Sequence, residues 1–250
     1  MNYIVIRVVV FACTFGSALL GMFLRAVLPE RHLSADSKDT VRLGMGMIAT
    51  MAALVLGLLV ASAKNFYDTQ SSDLTQLSAN VILLDRVLAH YGPETKEARD
   101  LLRGAVARSL NLIWHQGQQG SQMAPTAAGG EILYDKIQAL SPQNDVQGAL
   151  KAQASSMAID LGKLRWLMFE QENTSVSLPL LAVLVFWLAI VFASFGLFAP
   201  PNVTVIATLF LCALSVSGAI FLILEMYTPF QGLMQLSSAP LRNALAHLGQ

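Results

Sequence analysis

The feature that most constrains this chain is a stretch of 52 residues, 173–224, that contains no charged side chain. A helix that crosses the hydrocarbon core of a bilayer needs about 20 mostly apolar residues. The stretch is long enough for two such helices, and Pro200-Pro201-Asn202 interrupts it near the middle. Since proline ends helices and asparagine favours turns, we predict spans at about 177–198 and 203–225.

Two shorter apolar stretches lie in the N-terminal part of the chain. No charged residue lies between Arg7 and Arg25, and the second stretch is uncharged for 21 residues. They predict spans at about 4–26 and 43–64. The first stretch could instead be a cleaved signal peptide. The following Leu28-Pro29-Glu30 lacks the small residues of a cleavage site, so a retained anchor is preferred.

The overall composition indicates that lipid is part of the solvent. Charged residues make up 13% of the chain, whereas about 25% is usual for soluble domains. The 16 basic and 16 acidic residues cancel, so no net field attracts nucleic acid. We expect the lipid bilayer to be the main partner and nucleic acid not to be one.

The charged residues gather in the middle of the chain, where 10 of the 16 basic and 12 of the 16 acidic residues lie between positions 64 and 172. Apolar residues there recur at spacings of three and four, as in helices with one buried stripe. We therefore predict an all-α integral membrane protein, with transmembrane hairpins at 1–64 and 173–225, a helical water-exposed domain at 65–172 and a polar tail at 226–250. The predicted stripes are Leu74, Leu77, Val81, Leu84 and Leu88, then Ala98, Leu102, Val106, Leu110 and Ile113, then Val146, Leu150, Ala154, Met157, Leu161, Leu164 and Met168.

Four spans place both termini and the central domain on one side of the membrane. The positive-inside rule identifies the cytoplasmic side from basic residues in short loops. Here the count is almost balanced, and we expect the termini and the central domain to be cytoplasmic. The residues counted are Arg25, Arg31, Lys38 and Arg42 on the far side and Arg7, Lys64, Lys163, Arg165 and Arg242 on the domain side.

The sequence contains no pattern typical of catalysis or of metal binding. None of the four histidines pairs with another histidine or a cysteine at metal-ligand spacing. A glycine-rich phosphate loop and a nucleophile elbow are also absent from the sequence. Cys13 and Cys212 both lie in predicted spans, where buried thiols behave as small apolar groups. We expect neither an enzyme nor a bound cofactor or metal ion.

Two of the predicted spans carry candidates for lining a pore. Thr204, Thr208 and Ser215 form a polar strip on the fourth span, which either lines a water-filled path or lets helices pack closely. Leu56 and Val60 on the second span would form an apolar constriction if this helix were repeated around a ring. The alternative is that the second span is an ordinary transmembrane helix.

Charged residues at the ends of the spans are candidates for the mouths of a pore. Arg25, Arg42 and Lys64 would raise the local concentration of anions. Glu225 ends the fourth span. It either binds a cation, pairs with Arg7 or Lys64, or is a solvated boundary residue.

Sequence blocks in the last third of the chain carry a resemblance to a known family. They are Leu178-Pro179-Leu180-Leu181, Phe195-Gly196-Leu197-Phe198-Ala199-Pro200, Pro229-Phe230-Gln231-Gly232-Leu233 and Ser237-Ser238-Ala239-Pro240-Leu241-Arg242. In this order they resemble bacterial membrane proteins that have a bestrophin-like domain of unknown function, and His32 and Asp36 also fit that family. The resemblance covers nearly the whole chain. It implies a four-span helical protein of the bacterial inner membrane.

The family takes its name from the bestrophins, which are pentameric anion channels. Val55-Leu56-Gly57 in the second span is similar to the apolar neck of bestrophins. The family itself has no established activity, and this likeness to bestrophins makes a homo-oligomeric channel for small anions the leading hypothesis. Because the tail after Glu225 contains no acidic residue, calcium gating of the bestrophin kind is not expected.

Two functional hypotheses follow from these observations. The first is an oligomeric channel that passes anions passively, with selectivity supplied by basic residues at its mouths. The second is a membrane-anchored structural or signalling adaptor, in which the helical domain binds a partner through the Gln- and Gly-rich loop at 116–130. A closed ring of several subunits would favour the channel, and a monomer or simple dimer would favour the adaptor.

Overall fold

A computed structural model describes residues 3–29, 35–114, 127–172 and 177–250. Within these ranges the chain is helical, without strands, and this confirms the predicted all-α class. A 3₁₀ turn, Pro93–Thr95, also lies between two of the α-helices. The α-helices are α1 Tyr3–Val27, α2 Ala35–Tyr91, α3 Lys96–Trp114, α4 Ala127–Gln138, α5 Asp145–Glu172, α6 Leu178–Phe198, α7 Val203–Met226 and α8 Ala239–His247.

Four of the described helices, α1, α2, α6 and α7, are long and apolar enough to cross a membrane. These four candidate spans correspond to the four that the sequence predicts. The turn between α6 and α7 forms as the sequence predicts, because α6 ends at Phe198 before the two prolines. The side chain of Asn202 then caps α7 by accepting a hydrogen bond of 2.8 Å from the backbone amide of Val205.

Helix α2 is 57 residues long and continues far beyond its apolar part. It ends at Tyr91, where Gly92 has a φ of 139°, a conformation that L side chains rarely adopt. The hydroxyl of Thr95 then donates hydrogen bonds to the carbonyl oxygens of Leu88 and Gly92, at 2.6 and 2.8 Å. These bonds satisfy carbonyl groups that the end of a helix leaves without partners.

The chain divides into two compact units. The first, here called the apolar unit, comprises residues 1–66 and 175–227. The second, here called the charged unit, comprises residues 67–174 and 228–250. Helix α2 contributes residues to both, whereas α1, α6 and α7 belong to the apolar unit and α3, α4, α5 and α8 to the charged unit.

In the apolar unit, α1 and α6 approach each other very closely. A Cβ atom added at Gly21 would collide with the carbonyl oxygen of Ala193, and one added at Gly196 would collide with that of Ala18. Such contacts between small residues let transmembrane helices pack backbone to backbone. A separate cluster joins the helices through Val10 of α1 and other buried side chains, namely Ala52, Leu59, Ala63, Leu181, Leu184, Ile220, Ile223 and Leu224.

The charged unit is organised around the apolar stripes that the sequence shows. All five predicted stripe residues of α3 are buried. Residues 226–250, which we expected to form a polar tail, supply Leu241, Ala244 and Leu248 to the same core. The prediction for Val146 was wrong, since its side chain is exposed. Val146 lies in the first turn of α5, where a stripe can extend past the neighbouring helices.

The charged unit also buries an ion pair. The carboxylate of Asp85 is only 1% exposed and accepts two hydrogen bonds from the guanidinium of Arg99, at 2.8 and 2.9 Å. The backbone amide of Gly249 donates a third, at 3.3 Å. Burial raises the pKa of Asp85, but these hydrogen bonds outweigh burial and hold the pKa below its ordinary value.

Candidate pore-lining surfaces

The part of α2 within the apolar unit has one buried face and one outward face. Ala52, Leu59 and Ala63 are buried. Because a helix repeats every 3.6 residues, the opposite face carries a row of exposed residues. We call this row the α2 outward face; it comprises Leu43, Met47, Thr50, Leu54, Gly57 and Ala61.

The α2 outward face is apolar and open. Leu43 is 77% exposed and Leu54 is 70% exposed. A Cβ atom added at Gly57 would meet no atom within 4 Å. The hydroxyl of Thr50 donates to the carbonyl oxygen of Gly46, at 2.8 Å, so its hydrogen bond stays within the helix. No other part of the described chain covers this face.

Neither of the two residues predicted to form a constriction belongs to this face. Leu56 is partly buried and packs against the core of its own unit. Val60 is exposed, on the opposite flank from Leu58. The sequence did not predict that Leu54, Gly57 and Ala61 face outward. Which side of α2 faces outward depends on which side the other helices cover. The pore-lining role of Leu56 and Val60 stays a prediction.

The polar strip of α7 also faces outward. Thr204, Thr208 and Ser215 are exposed, whereas the opposite side of α7 is buried. Thr208 donates to the carbonyl oxygen of Thr204 and Ser215 to that of Leu211, both at 2.9 Å. Since these hydroxyls are satisfied within the helix, the strip can face lipid, water or another subunit without a buried unpaired donor.

Two of the predicted mouth residues have contrasting surroundings. The guanidinium of Arg25 donates to the carbonyl oxygen of Ala199, directly after α6, and so satisfies a free carbonyl at that helix end. Arg42 is exposed and pairs with Asp39 at 3.6 Å along the surface of α2. Such an exposed pair contributes little to stability. Arg42 therefore presents its charge to solvent more than Arg25 does.

The other two predicted mouth residues lie where α2 and α7 leave the apolar unit. Lys64 is exposed. Glu225 is only 7% exposed, which does not fit the interpretation as a solvated boundary residue. Near it, the hydroxyls of Ser62 and Tyr227 lie 3.0 Å apart. The rings of Phe66 and Tyr227 stack with their centroids 5.2 Å apart, which ties α2 to the end of α7.

Sequence reasoning missed the close contact between α1 and α6. The signal was present, because Ala18 and Gly21 are three residues apart and so are Ala193 and Gly196. Small residues with this spacing occur in many transmembrane helices, and the sequence does not say which helix is the partner. Among the described residues, no group of three or more His, Cys, Asp or Glu side chains could hold a metal ion.

The helices and their outward faces define a helical membrane protein with four candidate spans. The Bestrophin-like domain matches residues 12–241, which is most of the chain. The chain therefore belongs to the bestrophin-like family, as its sequence blocks predicted. Searches of curated proteins and of solved structures found no match.

Proposed function

We propose that the protein assembles into a homo-oligomeric ring and passes small anions through it passively, without catalysis or a cofactor. The observation that carries this proposal is the α2 outward face. It is uncharged from Leu43 to Ala61 and is left uncovered by the described part of the chain. Membership of the bestrophin-like family supports the same conclusion.

The chemistry of this face fits a passive pathway with an apolar neck. A ring of Leu54 side chains would form a constriction that controls conduction by excluding water. Such a neck offers no group that binds an ion tightly. Selectivity then arises at the ends of the face, where Arg42 and Lys64 attract anions. Arg25 contributes less, because its guanidinium is used by the carbonyl group of Ala199.

We place the charged unit in water on the cytoplasmic side of the bacterial inner membrane, together with both termini. Its buried apolar stripes and exposed charges support a position outside the lipid. The even number of candidate spans supports one side for both termini. A reporter fused to the C-terminus that is active only in the cytoplasm, or only outside it, tests this sidedness directly.

The channel hypothesis is tested by anion flux in liposomes. Purified protein is reconstituted with a chloride-sensitive dye inside, and flux is compared with protein-free vesicles. Replacing Leu54 by threonine should raise the flux several-fold, because a polar neck is more readily wetted. Leu211→Thr is the matched control, since Leu211 is exposed on α7, a helix that the proposal does not place around the pore.

Two results would contradict the proposal. One is the absence of flux from folded, reconstituted protein, and the other is an equal response to Leu54→Thr and Leu211→Thr. The adaptor hypothesis relies on the loop at 116–130, most of which lies outside the described residues. A monomer or dimer in detergent would favour the adaptor, since a ring needs more subunits.

A further inference from the structure

The charged unit contains an apolar cavity with a volume of about 370 Å³. Small-molecule sites usually have volumes of about 300–1,000 Å³ and are lined mainly by apolar side chains. Helices α2, α3, α4, α5 and α8 all contribute to its wall. Residues that line it include Leu77, Val106, Leu133, Leu161, Trp166 and Leu241.

One cation lines this cavity, and it has no counter-ion in the described part of the chain. Arg165 of α5 is half-buried, and it forms no hydrogen bond or ion pair with the residues that the structure describes. Burial lowers the pKa of Arg165 below its ordinary value. Partial removal of an arginine from water without a counter-ion has a free-energy cost. The cavity therefore offers a favourable place for a negative charge.

The other described side chains of the unit do not supply that charge. The two stretches of the charged unit outside the described ranges, 115–126 and 173–174, contain no aspartate or glutamate. Glu172, whose side chain is not described, lies about two helical turns from Arg165 along α5. Glu131 and Asp135 also line the cavity, but both are exposed and neither pairs with Arg165.

These two carboxylates also restrict the ligand. They would repel a phosphate ester or another group with several negative charges, whereas a single negative charge beside Arg165 is tolerated. The apolar wall requires a ligand with an apolar body. Together these features describe an amphipathic molecule with one anionic group.

We propose that this cavity binds an amphipathic monoanion of the fatty-acid class. The carboxylate of the ligand pairs with the guanidinium of Arg165, and its hydrocarbon tail lies among Leu77, Val106 and Leu133. Trp166 lies beside this hydrocarbon tail. This site is separate from the proposed anion pathway, and its test does not depend on conduction.

The test uses quenching of tryptophan fluorescence by brominated dodecanoate, with the full-length protein in nanodiscs. Bromine quenches only at short range, and Trp166 lines the cavity. We expect a saturable component of quenching that disappears in Trp166→Phe. Brominated dodecanol and brominated dodecyltrimethylammonium share the chain but not the negative charge. They should show this component only at concentrations at least about ten-fold higher, since a charged hydrogen bond contributes roughly 1.5–3 kcal/mol.

Two pairs of variants distinguish binding in the cavity from general effects of the lipid. Arg165→Gln should weaken dodecanoate binding about ten-fold, whereas Arg108→Gln, at an exposed arginine of α3, should leave it unchanged. Gly162 lines the cavity, and a Cβ atom added there would meet nothing within 4 Å. Gly162→Leu should therefore fill the cavity and abolish saturable quenching without unfolding the protein. Gly148→Leu is the control on the same helix, because Gly148 is equally uncrowded but lies outside the cavity.

Three outcomes would overturn the proposal, provided that circular dichroism and gel filtration show folded variants. The first is the absence of saturable quenching, which is also the result expected if a second copy of the chain covers the cavity. The second is equal binding of the three probes. The third is undiminished binding in Arg165→Gln or Gly162→Leu.

Discussion

The apolar unit and the charged unit differ in where their helices place large apolar side chains. In the apolar unit large apolar side chains point outward, and Val203 at the start of α7 is 83% exposed. In the charged unit the apolar stripe of α3 points inward and is buried. The same residue types thus lie outside in one unit and inside in the other. The difference supports the proposed arrangement, in which lipid surrounds the first unit and water surrounds the second.

The two units also differ in how they satisfy polar groups. Several hydroxyls of the apolar unit bond to their own helix, as Thr14 does to the carbonyl oxygen of Val10 at 2.9 Å, and the pair Ser62 and Tyr227 is an exception. Polar groups of the charged unit join different elements, as the indole of Trp114 does by donating to the carbonyl oxygen of Leu236 at 2.9 Å. We infer that close backbone packing stabilises the apolar unit, whereas an apolar core with polar cross-links stabilises the charged unit.

The largest effect should come from the contact between α1 and α6. Gly196→Leu places a side chain against the backbone of Ala18, which must move. We expect a loss of about 3 kcal/mol or more, measured as thermal stability in lipid nanodiscs. Gly16→Leu is the control, because a Cβ atom at Gly16 of α1 would meet nothing within 4 Å. Equal stability of the two variants would show that the close contact is not formed.

A comparable effect is expected from breaking the buried ion pair. Asp85→Asn leaves the guanidinium of Arg99 without its counter-ion, and we expect a loss of about 3 kcal/mol in thermal unfolding of the charged unit. Asp160 pairs with Lys163 at 3.3 Å on the exposed surface of the same unit. Asp160→Asn should cost at most about 0.5 kcal/mol. If the two variants lost the same stability, the buried pair would have no special importance.

The pH dependence of stability should follow from the same carboxylate. Because the pKa of Asp85 is lower in the folded protein than in the unfolded chain, its contribution is fully present above the unfolded value, about 3.9. That contribution is lost as the pH falls through the folded value. The difference in melting temperature between wild type and Asp85→Asn should therefore be constant near neutral pH and shrink below about pH 4. A difference that grew on acidification would contradict this assignment.

A smaller effect is expected at the end of α2. Thr95→Val removes a buried hydroxyl that bonds to the carbonyl oxygens of Leu88 and Gly92. We expect a loss of about 1 kcal/mol in thermal unfolding. The hydroxyl of Thr75 bonds to the carbonyl oxygen of Ser71 on the exposed surface of α2, so Thr75→Val should be nearly neutral. A neutral Thr95→Val would show that the bonds at this helix end contribute no net stability.

The sequence predicted the helices better than it predicted their surroundings. Charge-free length and Pro200-Pro201 are local signals, and they located α1, α6 and α7 within a few residues, whereas α2 continues far beyond the predicted end at residue 64. The buried face of α2 depends on contacts with distant parts of the chain. Leu56 was therefore a pore candidate in the sequence, although the structure packs it against its own core. The prediction that Val146 is buried was wrong for a related reason, since periodicity does not show where a neighbouring helix ends.

The most direct test of the account asks whether water reaches the α2 outward face within the membrane. In a cysteine-free protein, with Cys13 and Cys212 replaced by serine, single cysteines are placed along α2 and α7 and treated with a charged, membrane-impermeant thiol reagent. We predict labelling at Leu54 and Ala61, with none at the buried Leu59 or at Leu211. If cysteines at positions 54 and 61 were protected from the reagent to the same degree as a cysteine at position 211, the central claim that copies of α2 surround a solvent path would be contradicted.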